Sequence, residues 1–206
     1  MCGMVRLAGV LLDRMESRTD TQQSMVPDGS SNDDLPGYPN TIEDVSTGAS
    51  ISFLEDSVDE QGAYLLMEGV LPPGIDSGPA RLHPRAEAHS EVVAGQADVT
   101  VRGEIHTLLP GESLTIEIGE AHSIRNSGTD TLVVRTTLRP PGEFEGAIRA
   151  LYEASAGGEP DLLAVAAVLS HYRADVRLAV IPWWLQRPLL SVLAKISTVL
   201  GQNPIR

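Results

Sequence analysis

The chain has 206 residues, room for one domain of ordinary size with appendages, since domains cluster at about 100 to 150 residues. A net charge of −13 sets up a field that repels phosphate backbones and argues against a nucleic-acid-binding role. No apolar run reaches the roughly 18 residues needed to span a membrane, and the single cysteine, Cys2, cannot close an internal disulfide, which fits a reducing, cytoplasmic setting.

The opening Met1–Leu12 is briefly apolar but runs straight into Asp13, Arg14 and Glu16 without a cleavage site, so no secretion signal is expected. Only Met1 precedes Cys2, which leaves the lipoprotein pattern without its hydrophobic segment. From Ser17 to Asn40 the chain is rich in Ser, Asp, Gly and Pro and lacks apolar periodicity. Residues 1–40 are therefore expected to be a disordered extension or, with Met25 as an alternative start, a product of gene calling.

From Ile42 to Leu138 the texture changes to short Val-, Ile-, Leu- and Thr-rich stretches broken by Gly and Pro, the pattern of a sandwich or barrel of short strands. The predicted strands are Ser50–Leu54, Ala63–Val70, Glu91–Ala94, Asp98–Arg102, Glu104–Leu108, Ser113–Ile116, His122–Asn126 and Thr131–Leu138, with Arg102-Gly103 as a hairpin turn. Alternation in the last strand sets Leu132, Val134, Thr136 and Leu138 on one face. After Pro140-Pro141 the period becomes helical. Helices are expected at Phe144–Ala156, stopped by Gly157-Gly158, at Leu162–Arg173, capped by Asp161, and at Trp183–Leu200, kinked or restarted at Pro188. The predicted organisation is an all-β core over 41–141 and a helical extension over 142–206.

Two glycine-bounded stretches lie inside the β region. Gly111, Gly119, His122 and Asn126 stand at the spacing G-x5-P-x-G-x2-H-x3-N, with Glu117 in the proline position. Counting back from Gly95, the pattern G-x5-H-x-H-x4-E-x6-G falls on Arg81 and His83 for its histidines and on Ala88 for its glutamate. Over about Glu68–Leu138 the chain thus resembles the cupin superfamily. The resemblance implies a jelly-roll, double-stranded β-helix barrel with a C-terminal α-helical tail. It also implies a homodimer, because cupin barrels commonly pair and cover exposed sheet edges.

The resemblance further implies a site inside the barrel where imidazoles and one carboxylate hold Fe, Mn, Zn, Ni or Cu and leave positions open for substrate or oxygen. Here His83 and His122 are two of the four usual ligands, and a guanidinium at Arg81 would repel a dication. A local bulge turning Glu87 inward could supply a third ligand, and the same slip could recruit His89 and Glu91. Alternatively Arg81 anchors an anionic group, with His83, Ser90, His122 and Asn126 completing a metal-free polar pocket for a small molecule. The bland readings are fossil ligands that hydrogen-bond within the barrel, an Asn126 that supports a turn, and a surface His106.

The excess of acid lies before Gly142; between Val176 and Arg206 stand Arg177, Arg187, Lys195 and Arg206 with no acid. Pro182-Trp183-Trp184 opens a helix whose Leu185, Leu189, Val192, Leu193, Ile196, Val199 and Leu200 form a broad apolar face. Such a face ordinarily packs on its own barrel or on a second copy. Peripheral contact of 182–200 with an anionic membrane is the other use.

Overall fold

The computed structural model describes residues 40–155 and 161–201, all of them in one compact unit. The expectations for 1–39, Cys2 among them, and for the helix stop at Gly157-Gly158 lie outside the described residues.

Ten strands precede the helices: β1 (Thr41–Asp44), β2 (Ala49–Asp59), β3 (Gly62–Leu71), β4 (Arg81–Leu82), β5 (Glu87–Ala94), β6 (Ala97–Val101), β7 (Glu104–Leu108), β8 (Ser113–Ile116), β9 (His122–Asn126) and β10 (Leu132–Arg139). Helices α1 (Phe144–Ser155) and α2 (Leu162–His171) follow, then a two-residue strand β11 (Arg177–Leu178) and helix α3 (Trp183–Leu200). Strand pairing is antiparallel throughout and makes two sheets, ordered β1-β2-β3-β10-β5-β8 and β11-β4-β9-β6-β7. The expected jelly roll is present as these two sheets, without hydrogen bonding that closes them into one barrel.

The local causes are legible. In β10, Leu132, Val134 and Leu138 are buried while Arg135 is exposed, so period-two alternation chooses the core face. The β6–β7 hairpin turns on Arg102 and Gly103, both at positive φ (51° and 88°), the signature of a two-residue type I′ turn that matches strand twist. Asp161 caps α2 by accepting from the N–H groups of Leu163 (2.9 Å) and Ala164 (3.1 Å). That helix is apolar on nearly every side because it packs against both α1 and α3.

Most of the buried apolar side chains among the described residues form one cluster drawing on both sheets and on the extension: Phe53, Leu65, Val92, Val99 and Leu132 share it with Phe144, Ala147, Ile148, Leu169 and Val176. β11 adds to the edge of β4, so the tail also contributes a strand to a sheet. Two expectations about the tail need correction. α3 runs on through Pro188 rather than restarting there; the helical bond lost at Pro188 frees only the carbonyl of Trp184, in an exposed turn that water can reach. And its broad apolar face does not pack on the barrel: Leu185, Leu189, Val192, Ile196, Val199 and Leu200 are exposed, whereas Gln186, Leu190 and Ser197 are buried.

Candidate functional site

β4 and β9 bring the central residues together. Arg81 is the cross-strand partner of His122, which sets both side chains on one face of the sheet. His83 lies two residues beyond Arg81 and returns to that face. The ring centroids of His83 and His122 are 5.0 Å apart, with planes tilted by 43°. Both rings are almost fully buried.

The second glycine motif builds this corner. Gly119 stands at φ +79° with nothing near the place of a Cβ, so the demand there is conformational rather than spatial. Its N–H donates to the carbonyl of His83 at 2.8 Å, tying the turn before β9 to the end of β4.

Each imidazole is held by one nitrogen. His83 Nδ1 donates to the carbonyl of Asp175 (3.2 Å) and His122 Nδ1 donates to the carbonyl of Glu120 (3.1 Å). A carbonyl oxygen only accepts, so Nδ1 carries the proton in both rings and Nε2 presents its lone pair. Neither Nε2 has a hydrogen-bonding partner among the described residues. Burial first, then the neighbouring His122 and Arg81, push His83 down to about 3; burial and Arg81 push His122 down to about 4. Both rings are therefore neutral near pH 7.

Arg81 is the unusual member. Its Nη1 donates to the carbonyl (3.0 Å) and hydroxyl (3.3 Å) of Ser77, but its Nε is sealed from solvent with no acceptor. Among the described residues no carboxylate pairs with it. Burial lowers its pKa from the usual value, and the hydroxyl of Tyr152 on α1 works in the opposite direction. Tyr152 itself is raised, chiefly by burial, with Asp44 adding and Arg81 opposing. No spacing rule points to Tyr152 here, because it comes from a helix 71 residues after Arg81.

The extension roofs the pair. The Phe144 ring meets His83 edge-on at 5.0 Å. Asp175, whose carbonyl holds His83, is clamped by Arg85, which donates from Nη2 to its carboxylate at 2.7 Å and from Nε to the Ala174 carbonyl at 3.1 Å. Two clefts, of about 450 and 180 Å³, lie beside Pro141-Gly142, and neither is lined by Arg81, His83 or His122.

The remaining predicted residues divide. Ser90 is inward and buried with Ala88 and Val92, its hydroxyl hydrogen-bonded to that of Thr136 (2.9 Å). Asn126 is fully buried and supports the turn that follows β9: its amide donates to the carbonyls of Leu71 and Asp130 (2.8 Å each) and accepts from Gly128 N–H (3.0 Å), so these groups, rather than a ligand, occupy it here. Glu87 does not turn inward. β5 and β10 stay in register from Glu87↔Arg139 to Glu91↔Arg135, and the irregularity between them falls at Val133/Val134. Glu87 thus shares its face with exposed His89 and Glu91, opposite Ala88. His89 is occupied there with the Thr115 hydroxyl (3.0 Å), and His106 is half-buried on β7.

A resident transition metal does not fit this donor set. Two imidazoles converge, a methyl stands where the carboxylate would be, and a guanidinium takes the place of the third nitrogen. Among the described residues no group of three His, Cys, Asp or Glu side chains gathers.

Residues 67–137 match the family model described as "Cupin domain". A 73-residue stretch, 35% of the chain, is 38% identical to the mannose-1-phosphate guanylyltransferases of Salmonella typhimurium (ManC) and Escherichia coli; it spans 15% of the length of those relatives. Among solved structures, an RmlC-like cupin from Shewanella frigidimarina is similar at 23% identity and a TM-score of 0.43, covering 50% of this chain and 86% of that one. KdgF from Halomonas sp. is similar at 20% identity and a TM-score of 0.42, covering 50% and 88%. The family match coincides with the span from β3 to β10 and takes in both glycine motifs, so residues 67–137 form a cupin domain.

Proposed function

We propose that the protein binds a small organic anion inside the cupin domain without a metal, with Arg81 as the anchor and the Nε2 lone pairs of His83 and His122 accepting from the ligand's hydroxyl groups. The observation that carries this reading is the guanidinium of Arg81, whose sealed Nε lacks an acceptor and whose charge lacks a carboxylate. A desolvated cation is costly unless something answers it, and a carboxylate or phosphate answers it with two parallel hydrogen bonds. A hydroxylated acid or a sugar phosphate offers the anion and the donors together. The name of the curated relatives makes mannose 1-phosphate a reasonable probe alongside citrate and glucuronate.

Thermal melts with these three anions test the proposal. Ligand at about 100 times its dissociation constant stabilises by about 2.7 kcal/mol, which raises the melting temperature of a chain this size by roughly 5 to 10 °C. The rise is expected in the wild type and is lost in Arg81→Ala. If none of the anions acts, or if both proteins respond alike, the anchor is wrong.

The competing reading is a metal-dependent enzyme, dioxygenase- or isomerase-like, using His83, His122 and Glu87. The outward face of Glu87 weighs against it. Elemental analysis of protein purified without chelator separates the two, because stoichiometric Fe, Mn, Zn, Ni or Cu lost in His122→Ala would replace the metal-free proposal with this one.

A further inference from the structure

The groups that an anion would touch are shut away from it. His83 and His122 are 5% and 3% exposed and Arg81 Nε is sealed, so a sugar phosphate reaches them only when some element moves aside. Three elements close on His83. β9 is held to β6 along its length, from Ala97↔Asn126 to Val101↔His122, and Phe144 belongs to the shared buried cluster. The third element is the tail from Ala174 to Ala179, and its hold is lighter. Two rungs join β11 to β4, the Ala179 N–H donates to the Ala80 carbonyl (2.8 Å), and Arg85 clamps the Asp175 carboxylate (2.7 Å) and the Ala174 carbonyl (3.1 Å).

That clamp is built like a latch. The Arg85 side chain is 60% exposed and that of Asp175 6%, so the outer half of the pair can swing into water without repacking anything. The cleft of about 180 Å³ is lined by Arg85 and Asp175, and the carbonyl of the same Asp175 accepts from His83 Nδ1 at 3.2 Å. One residue thus stands between the cleft and the imidazole. On the other side of Asp175, Gly142 lies so close to its carboxylate that no Cβ fits between them. Val176 is buried when the segment is docked and meets water when it lifts, which keeps it shut at rest. Lifting also takes the acceptor from His83 Nδ1. The proton is then free to move to Nε2, and the ring turns from an acceptor into a donor.

We propose that Ala174–Ala179 is a gate on the anion site, latched by Arg85 and Asp175, whose closing fixes His83 as an acceptor. This rests on the reading of Arg81 as an anion anchor and adds the way in. Binding and closing are linked, so an anion that binds behind the gate holds it shut.

Amide hydrogen exchange on the full chain tests the gate. In the free wild type, residues 174–179 are expected to exchange by local opening, at least about 10-fold faster than β6. Arg85→Ala is expected to speed that segment roughly 10- to 100-fold, the worth of a hydrogen bond to a charged group, and to leave β6 unchanged. In 15N spectra of the imidazoles, with His83→Asn identifying the signals, the same variant is expected to move His83 from the Nδ1–H form to a mixture of tautomers. Whichever of mannose 1-phosphate, citrate and glucuronate raises the melting temperature is expected to slow residues 174–179 in the wild type. The gate is overturned if the segment and β6 exchange alike in the wild type, or if Arg85→Ala speeds both equally or leaves the His83 tautomer unmoved. It is overturned too by an anion that raises the melting temperature and leaves the segment's exchange as it was. Should none of the three anions raise the melting temperature while the free-protein results come out as expected, the anion reading of Arg81 falls and the gate stands.

Discussion

The imidazoles of His83 and His122 are neutral in the folded protein down to about pH 3 and about pH 4, whereas in the unfolded chain they take up protons near 6.5. Wherever the unfolded state binds more protons, stability rises with pH. The contribution of this pair is therefore fully present above about pH 6.5 and declines on acidification towards pH 4, where His122 starts to charge within the fold. The loss across that window is on the order of a few kcal/mol, and thermal melts between pH 7 and pH 4.5 should show a slope that His83→Asn/His122→Asn flattens. Asn126→Ala should cost about 2 to 3 kcal/mol in denaturant titration, because it strands the buried carbonyl of Leu71 and removes the partly buried bonds to the Asp130 carbonyl and the Gly128 N–H. At this scale the sequence named Arg81, His83, Ser90 and His122 as inward residues, because a β pattern carries its facing with it. Of its two readings of Asn126, the one that has it support a turn matches the bonds to Gly128 and Asp130, while the bond to a carbonyl 55 residues upstream leaves no mark on spacing. The bulge invoked for Glu87 was equally invisible, as strand register is set by the partner strand.

Among the elements, β7, β8 and β9 stand at their expected bounds and β3, β6 and β10 are within a residue at each end, whereas β2 runs on to Asp59 beyond the expected Leu54 and β5 begins at Glu87 rather than Glu91. β4 and β11, of two residues each, were not readable, because two residues carry no period. β1 also escaped notice, a four-residue edge strand with an exposed and half-buried alternation and little apolar content. The turn from β5 to β6 is the most exacting connection: Gly95 stands at φ +80°, and a Cβ there would meet the Thr131 carbonyl oxygen at 2.6 Å and Leu132 Cα at 2.8 Å. Gly95→Ala is expected to cost about 3 kcal/mol or more, since it adds a backbone clash to a left-handed conformation. A denaturation midpoint within experimental error of the wild type would show that the turn relaxes at no cost. Helix α3 was legible in its bounds and its amphipathic period, but period alone cannot say which face the body takes. That was settled by α2, whose own apolar surround offered nowhere else to pack.

Taken whole, the molecule does not divide where its composition does. The change from strand to helix near Pro140-Pro141 suggests a core and an appendage, yet Phe144, Ala147, Ile148, Leu169 and Val176 sit in the same buried cluster as Val92 and Leu132. Sheet and extension should therefore unfold together. Far-UV circular dichroism at the β-sheet minimum and tryptophan emission from α3 are expected to give coincident midpoints in urea; two separated transitions would mean that the extension is an independent unit. The fold class was open to the sequence because the glycine positions of a jelly roll are local requirements. The roofing of His83 by Phe144 and Asp175 was closed to it, being made of contacts across 61 and 92 residues of chain.

The two rungs of β11 on β4 are a small feature with a large protective effect. A strand whose outer edge is unpaired invites another chain to add to it, and here the tail occupies that edge before any neighbour can. Proteolytic clipping ahead of Arg177 would bare the β4 edge while Phe144 and Asp175, which precede the cut, stay over His83. The hazard in losing the tail is then aggregation as much as instability, and the tail acts as the chain's own guard against pairing with its copies.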